Sequence, residues 1–168
     1  MSKTLYKIWR AIKDYVYIVV IVLLIRTFIV TPAIVDGSSM NNTLLDGQVV
    51  LIDKLSYVFW NINRFDIVVV ENEQDNDKII KRVIGLPNET IEYKNNELYI
   101  NGKKSDIRRE FEFTEDFIIE TKDDEYFVLG DNRDISKDSR ILGNFTKNEI
   151  VGKVNIRIYP LNRIGIVK

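Results

Sequence analysis

From Tyr15 to Ile25 the chain reads YVYIVVIVLLI, an apolar run without a break. Arg26 and Thr27 interrupt it, and Phe28–Val30 resume it. Wound as an α-helix, residues 15–30 span about 24 Å at roughly 1.5 Å per residue, slightly less than a bilayer core of about 30 Å. Arg26 lies near the far end, where its long stem reaches towards headgroups. Pro32 marks a helix end. The run lacks the polar stripe of a surface helix and reads as a membrane-spanning segment. A basic start, an apolar centre and the small residue Ala33 also describe a cleaved secretory signal. Both readings place residues from about 35 onward outside the cytoplasm.

Beyond residue 31 the period shortens. Val49–Ile52 follows the turn pair Asp46-Gly47, and Ile67–Val70 is a second β-branched run. Lys78–Ile84 (KIIKRVI) is a third, ended by Gly85-Leu86-Pro87. Thr90–Ile100 has the pattern of a hairpin, with Asn95-Asn96 at its turn. Tyr126–Leu129 and Val151–Tyr159 complete the set, and in the latter Val154, Ile156 and Ile158 alternate with Asn155 and Arg157. Residues 103–125 are rich in charge but hold Phe111, Phe113 and Phe117, and read as a surface excursion with one further hairpin. No repeat and no long helical period follows residue 31. The pattern predicts a mainly β fold of short antiparallel strands preceded by one N-terminal transmembrane helix. Tyr57-Val58-Phe59-Trp60 stays open between a core segment and an exposed patch at a membrane surface, where Trp and Tyr are favoured.

The chain has 168 residues, 24 Lys+Arg and 25 Asp+Glu, and neither His nor Cys. The length suits one domain with a short appendage. Without His and Cys there is no Ser-His-Asp triad, no Cys-His pair, no disulfide and no zinc site built on those ligands. Lys3, Lys7, Arg10, Lys13 and Arg26 against Asp14 make residues 1–30 net +4, so the remainder of the −1 chain is net −5. A mildly acidic body argues against a nucleic-acid partner. The four bases before the run place the N-terminus in the cytoplasm.

Three stretches carry candidate chemistry. Val35-Asp36-Gly37-Ser38-Ser39-Met40 is a small-residue loop just past the apolar segment, open to close approach by a peptide. Lys81 stands inside an apolar strand on the face of Ile79 and Val83. On a buried face it loses solvation and its pKa falls; on an edge it would be an ordinary solvated Lys. Gly130-Asp131-Asn132-Arg133-Asp134-Ile135-Ser136-Lys137-Asp138-Ser139-Arg140 packs carboxylates, hydroxyls and two Arg into one loop, either a polar network orienting a neighbour or a plain surface loop. A Ser nucleophile without His has one standard partner, a desolvated Lys. Ser39 and Lys81 are the candidates.

Read in order, the apolar segment, GSSMNNTL (37–44), RFDIVVV (64–70), KRVIGLPNE (81–89) and GDNRDISKDSR (130–140) resemble the type I signal peptidases of bacteria, in their compact Gram-positive form. The resemblance implies a cytoplasmic basic N-terminus over 1–14, an anchor over 15–31 and an extracytoplasmic catalytic β domain over 32–168. It implies a single-pass protein of the cell membrane that removes signal peptides from exported preproteins after small residues (Ala-X-Ala). By it, Ser39 is the nucleophile and Lys81 the general base. Ser136 orients the Lys amine, Asp138 and Arg140 form a supporting ion pair, and Asp131 shapes the loop. Val35, Asp36, Gly37 and Ile80 fall in the substrate-binding stretches. Gly37 stands where some relatives carry an oxyanion-stabilising hydroxyl. Asn42 replaces a usual Pro, and Phe65 a usual Gly. The partners implied are preprotein signal peptides and the lipid bilayer, with no cofactor, metal or nucleic acid. A narrow-substrate Ser–Lys peptidase and a non-catalytic membrane-tethered scaffold on the same fold remain the alternatives.

Overall fold

The computed structural model describes residues 3–72, 77–105 and 113–167. Helix α1 (Lys3–Phe28) leads directly into strand β1 (Val30–Ile34), which is followed by β2 (Val49–Asp53) and a single-turn helix, α2 (Ser56–Phe59). Strands β3 (Ile67–Asn72), β4 (Asp77–Gly85), β5 (Thr90–Lys94), β6 (Glu97–Ile100), β7 (Lys103–Lys104), β8 (Phe117–Glu120) and β9 (Glu125–Leu129) come next. Helix α3 (Ser139–Leu142), β10 (Phe145–Thr146), β11 (Ile150–Tyr159) and β12 (Gly165–Ile166) complete the order. The larger sheet runs β1-β2-β11-β3-β4-β9-β10 with β12 against β11, and the smaller runs β7-β6-β5-β8. Pairing is antiparallel throughout the described ladders.

The unbroken apolar run in β3 has a simple cause. This strand is covered on both faces: Val68 and Val70 enter one core cluster with Val83 and Val128, while Ile67 and Val69 enter another with Met40, Leu44 and Val154. Period-two alternation survives as a choice of cluster, not as a contrast of apolar with polar. A third cluster of Phe65, Ile84, Ile91, Tyr93, Phe127 and Leu129 sits where the smaller sheet meets the larger. The hairpin turn is the expected one: Asn95 and Asn96 hold φ of 51° and 62°, as a two-residue primed turn requires.

Several expectations change. Val30 and Thr31, grouped by sequence with the apolar segment, belong to β1. Pro32 does not end a helix but lies within that strand, opposite Leu51; β1 is an edge, the place where a missing N–H is tolerated. The further hairpin expected in 103–125 is replaced by β8, which pairs with β5, because Phe117 and Ile119 gain burial against the third cluster. Residues 106–112, with Phe111, lie outside the described residues. The Tyr57–Trp60 cluster divides. Tyr57 is buried, whereas Val58, Phe59 and Trp60 are exposed. As for the expected span, among the described residues no helix is long and apolar enough to cross a membrane. The apolar side chains of 15–25 are nonetheless exposed along all of α1, from Val19 at 40 % to Tyr15 at 70 %.

Candidate active site

The loop after β1 folds back on itself. The Asn41 N–H donates to Ser38 O, and the Thr43 and Leu44 N–H groups both donate to Met40 O. Met40 and Leu44 plug this turn into the core beside Val35, which leaves Ser39 half-buried at its rim. Lys81 approaches from the middle of β4. Its face-mates Ile79 and Val83 pack in the first core cluster, and Lys81 itself is 3 % exposed. The Lys81 amine lies 2.8 Å from Ser39 Oγ and 3.1 Å from Ile80 O. Burial lowers its pKa from the ordinary 10.5 to about 8, against the carboxylates of Asp138 and Asp131, which act to raise it.

The 130–140 loop closes over this pair. The Asn132 N–H donates to Ser39 O at 3.0 Å. Asp138 is fully buried and accepts from the Gly130 N–H at 3.0 Å. Arg140 Nε donates to Asp138 Oδ1 at 2.9 Å, so the expected ion pair is present. Arg140 also reaches Arg133 O at 2.6 Å, which holds the two ends of the loop together. Ser136 is buried beside Gly130. A Cβ added at Gly130 would lie 2.2 Å from Ser136 Oγ and 2.5 Å from Ser39 O. The hydrogen bond expected between Ser136 and the Lys81 amine is not made: the amine donates to Ser39 and Ile80, and Ser136 Oγ has no hydrogen-bond partner among the described residues.

Two residues that sequence reasoning passed over, Arg82 and Thr43, bind the parts together through Asp131. Arg82 and Asp131 form an ion pair whose side chains are 1 % and 3 % exposed. Arg82 Nε donates to Asp131 Oδ1 at 2.8 Å, Nη2 to Oδ2 at 2.6 Å, and Nη1 to Phe65 O at 2.9 Å. Thr43 donates to Asp131 Oδ2 and accepts from Arg82 Nη2, which links the Ser39 loop to the same pair. The signal was available in the Lys81-Arg82 dipeptide. Within a strand buried on both faces, alternation sends the second cation into the opposite layer, where it needs a buried carboxylate.

A cleft of about 220 Å³ opens on Ser39 and Lys81, lined by Ile34, Val35, Asp36, Met40, Ile79 and Ile80, with Asp77 and Lys78 at one end. Val35, Asp36 and Ile80 thus line the same cleft as Ser39 and Lys81. Gly37 does not line it. Its φ is 82°, a region a side chain strains to enter, and its N–H is taken by Asp46 Oδ1 at 2.8 Å. The two departures from the related pattern also become legible. Asn42 holds φ of 81°, which Pro cannot adopt, and Phe65 holds φ of 69°, the conformation that glycine elsewhere in the pattern would supply without strain. Phe65 is kept there by burial in the third core cluster.

Residues 8–159 match the family described as signal peptidase, peptidase S26. The chain belongs to the signal peptidase family. Among its relatives are a signal peptidase I P of Bacillus subtilis subsp. natto, 40 % identical over 94 % of this chain and 92 % of that protein, and a signal peptidase IB of Staphylococcus aureus, 38 % identical over 85 % of each. A crystal structure of a signal peptidase I from Enterococcus faecalis V583 superposes with a TM-score of 0.50. It is 32 % identical and covers 56 % of this chain and 97 % of that one. Signal peptidases are serine endopeptidases, so this chain is a hydrolase that removes signal peptides, and its mainly antiparallel β fold is that of the family.

Proposed function

We propose that signal-peptide removal here runs through a Ser39–Lys81 dyad, on a domain that α1 anchors to the outer face of the cell membrane. The observation that carries this is the buried amine 2.8 Å from a half-buried hydroxyl, both opening on one cleft with Ile34, Val35 and Ile80. Neutral Lys81 accepts the Ser39 proton as Oγ attacks the scissile carbonyl carbon. The resulting oxyanion is held by the Ser39 backbone N–H. Because the Gly37 N–H is engaged by Asp46, the second donor is another group. As the tetrahedral intermediate collapses, the Lys81 ammonium returns the proton to the leaving amine. An ester on Ser39 remains. Lys81 then takes a proton from water, which attacks that ester, and returns it to Ser39 Oγ as the ester bond breaks, which frees the enzyme.

The cleft supports cleavage after small side chains. Ile34, Val35, Ile79 and Ile80 offer shallow apolar walls that a large residue would clash with. In β4, residues 77–81 pair with β3 on one side, while β9 covers the other side only from Arg82 onward. An extended peptide can add along that uncovered stretch as a strand, which delivers its carbonyl to Ser39. The anchor reading is supported by the apolar side chains of 15–25, which the rest of the fold leaves exposed, and by the basic residues that precede them.

The test is cleavage of a preprotein carrying an Ala-X-Ala site by full-length protein in detergent, with the new N-terminus mapped by mass spectrometry. A single cut after the small residue is expected, absent from Ser39→Ala and from Lys81→Ala. A variant that retained cleavage would remove that residue from the dyad. Failure of the parent on several preproteins would favour a narrow-substrate peptidase or a scaffold.

A further inference from the structure

After β11 the chain passes through Pro160 into a 3-10 turn (Leu161–Arg163) and returns as β12, which sets Gly165 opposite Arg157 and Ile166 opposite Ile156. Between this hairpin and the loop after Ser39 lies a groove of about 730 Å³, lined by Asn42, Thr43, Arg157, Asn162, Arg163 and Ile164 among others. It shares no residue with the cleft over Ser39 and Lys81. Residues 34–36, which precede Ser39, border the cleft; Asn42, Thr43 and Leu45, which follow it, border the groove. Asn42 is three residues from Ser39 and so at most about 10 Å away.

The groove is positive. Its lining holds two guanidiniums and no carboxylate. Arg157 is held in place: Nε donates to Arg163 O at 2.8 Å, and Nη1 donates to Gln48 Oε1 at 3.3 Å and to Thr43 O at 3.4 Å. All three acceptors are neutral, and Nη2 makes no hydrogen bond among the described residues. The Arg163 side chain is exposed and has neither a hydrogen bond nor a carboxylate partner among the described residues. The acids beside the loop are engaged elsewhere, Asp46 by the Gly37 N–H and Asp131 by Arg82. On a body of net −5, two guanidiniums without a counter-charge in one concave surface mark a place for an anion.

The strand register says which anion. Arg157 lies opposite Val50, which lies opposite Ala33, and Tyr159 is likewise in register with Val49 and Ile34. The groove is thus at the end of β1 remote from α1, away from lipid headgroups. A peptide cut at Ser39 does reach it. Residues before the cut fill the cleft bordered by 34–36, so residues after the cut leave past Asn42 and Thr43. Three extended residues at about 3.3 Å each cover that distance. The two guanidiniums repel a basic side chain and attract a carboxylate. We propose that Arg157 and Arg163 form a subsite for acidic side chains two or three residues beyond the cut, in the mature part of the preprotein. This specificity determinant rests on the dyad reading above.

The test uses full-length protein in detergent at low salt. The peptides are identical up to an Ala-X-Ala cut and carry Glu-Glu, Gln-Gln or Lys-Lys at the second and third positions after it. kcat/KM should fall in that order, by about tenfold from Glu-Glu to Lys-Lys, the size that two partly screened charge pairs give. The change should lie mainly in KM, and the span should shrink in about 0.5 M NaCl. Arg163→Glu, which removes no hydrogen bond made by a side chain of the fold, should reverse the order of Glu-Glu and Lys-Lys. Arg157→Gln should narrow the span. Equal kcat/KM for the three peptides, or an order unchanged in Arg163→Glu, overturns the proposal and leaves the dyad standing. An order that disappears when phosphatidylglycerol is added at constant ionic strength also overturns it and assigns the groove to a headgroup. Cleavage of none of the peptides, or cleavage that survives Ser39→Ala, overturns the dyad reading and the proposal with it.

Discussion

Replacing Lys81 by Met separates catalysis from stability. The parent amine is 3 % exposed and its pKa lies at about 8 instead of 10.5, a displacement that corresponds to roughly 3 kcal/mol disfavouring the buried charge. The unfolded chain holds its proton up to the ordinary value, so between about pH 8 and 10.5 the unfolded state binds more protons. Stability from this group therefore rises with pH across that window, and the penalty is fully present below it. Met fills the same space without charge and removes the penalty, but forfeits the hydrogen bonds to Ser39 and Ile80, each contributing about 1 kcal/mol. Near pH 7, Lys81→Met should be inactive yet more stable than the parent by about 1 kcal/mol. Near pH 10 it should be less stable by about 1–2 kcal/mol, because the parent amine is then neutral. Denaturant titration of both full-length proteins in detergent at the two pH values reads the difference directly, since all other titrations are shared. Equal destabilisation at both values would refute the reasoning: the amine would then be solvated or paired, and no neutral base would stand beside Ser39 at working pH.

If the proposed dyad is right, the same group sets the rate. Turnover of a short peptide should climb through about pH 8 as the Lys81 amine loses its proton, and a profile flat across that region would exclude Lys81 as the base. Arg82→Met leaves Asp131 charged and buried and should lower stability by about 3–5 kcal/mol, read as a drop in Tm; a loss near zero would mean the pair is not desolvated. Gly130→Ala forces Ser136 and the Ser39 carbonyl apart. Its kcat should fall far more than its Tm, and unchanged kcat would show that the loop yields without moving Ser39. Asn42→Pro should cost about 3 kcal/mol or more, because proline cannot reach the φ of 81°. Asn42→Gly should change stability by less than about 1 kcal/mol, and denaturation of the pair settles the local geometry.

Much of the fold was legible because its longer strands carry strong local signals. β2, β3, β4, β9, β11 and the β5–β6 hairpin each repeat an apolar pattern over four or more residues, and the Asn95-Asn96 turn has the residue type that positive φ favours. Strands β7, β10 and β12 have two residues each, too few to show a period. β8 was hidden for a different reason: its partner, β5, lies far upstream, so nothing local marks it as a strand. β1 was obscured by the neighbouring apolar segment, into which its first residues blend.

At the site, sequence by itself determined the available chemistry. With no His and no Cys, a Ser nucleophile had to look to Lys, and the order of the four motifs named both residues. It determined that Asp138 and Arg140 are close, because they are two residues apart. Whether Lys81 is desolvated was decided only by the tertiary structure, since its burial comes from neighbouring strands and from the Ser39 loop 42 residues away. The pairing of Arg82 with Asp131 across 49 residues was decided there too, as was the choice of the Lys81 amine for Ser39 and Ile80 over Ser136. So was the division of Tyr57 from Trp60. A residue's chemistry is local, but its solvation and its partners are set by whichever distant surfaces the fold brings against it.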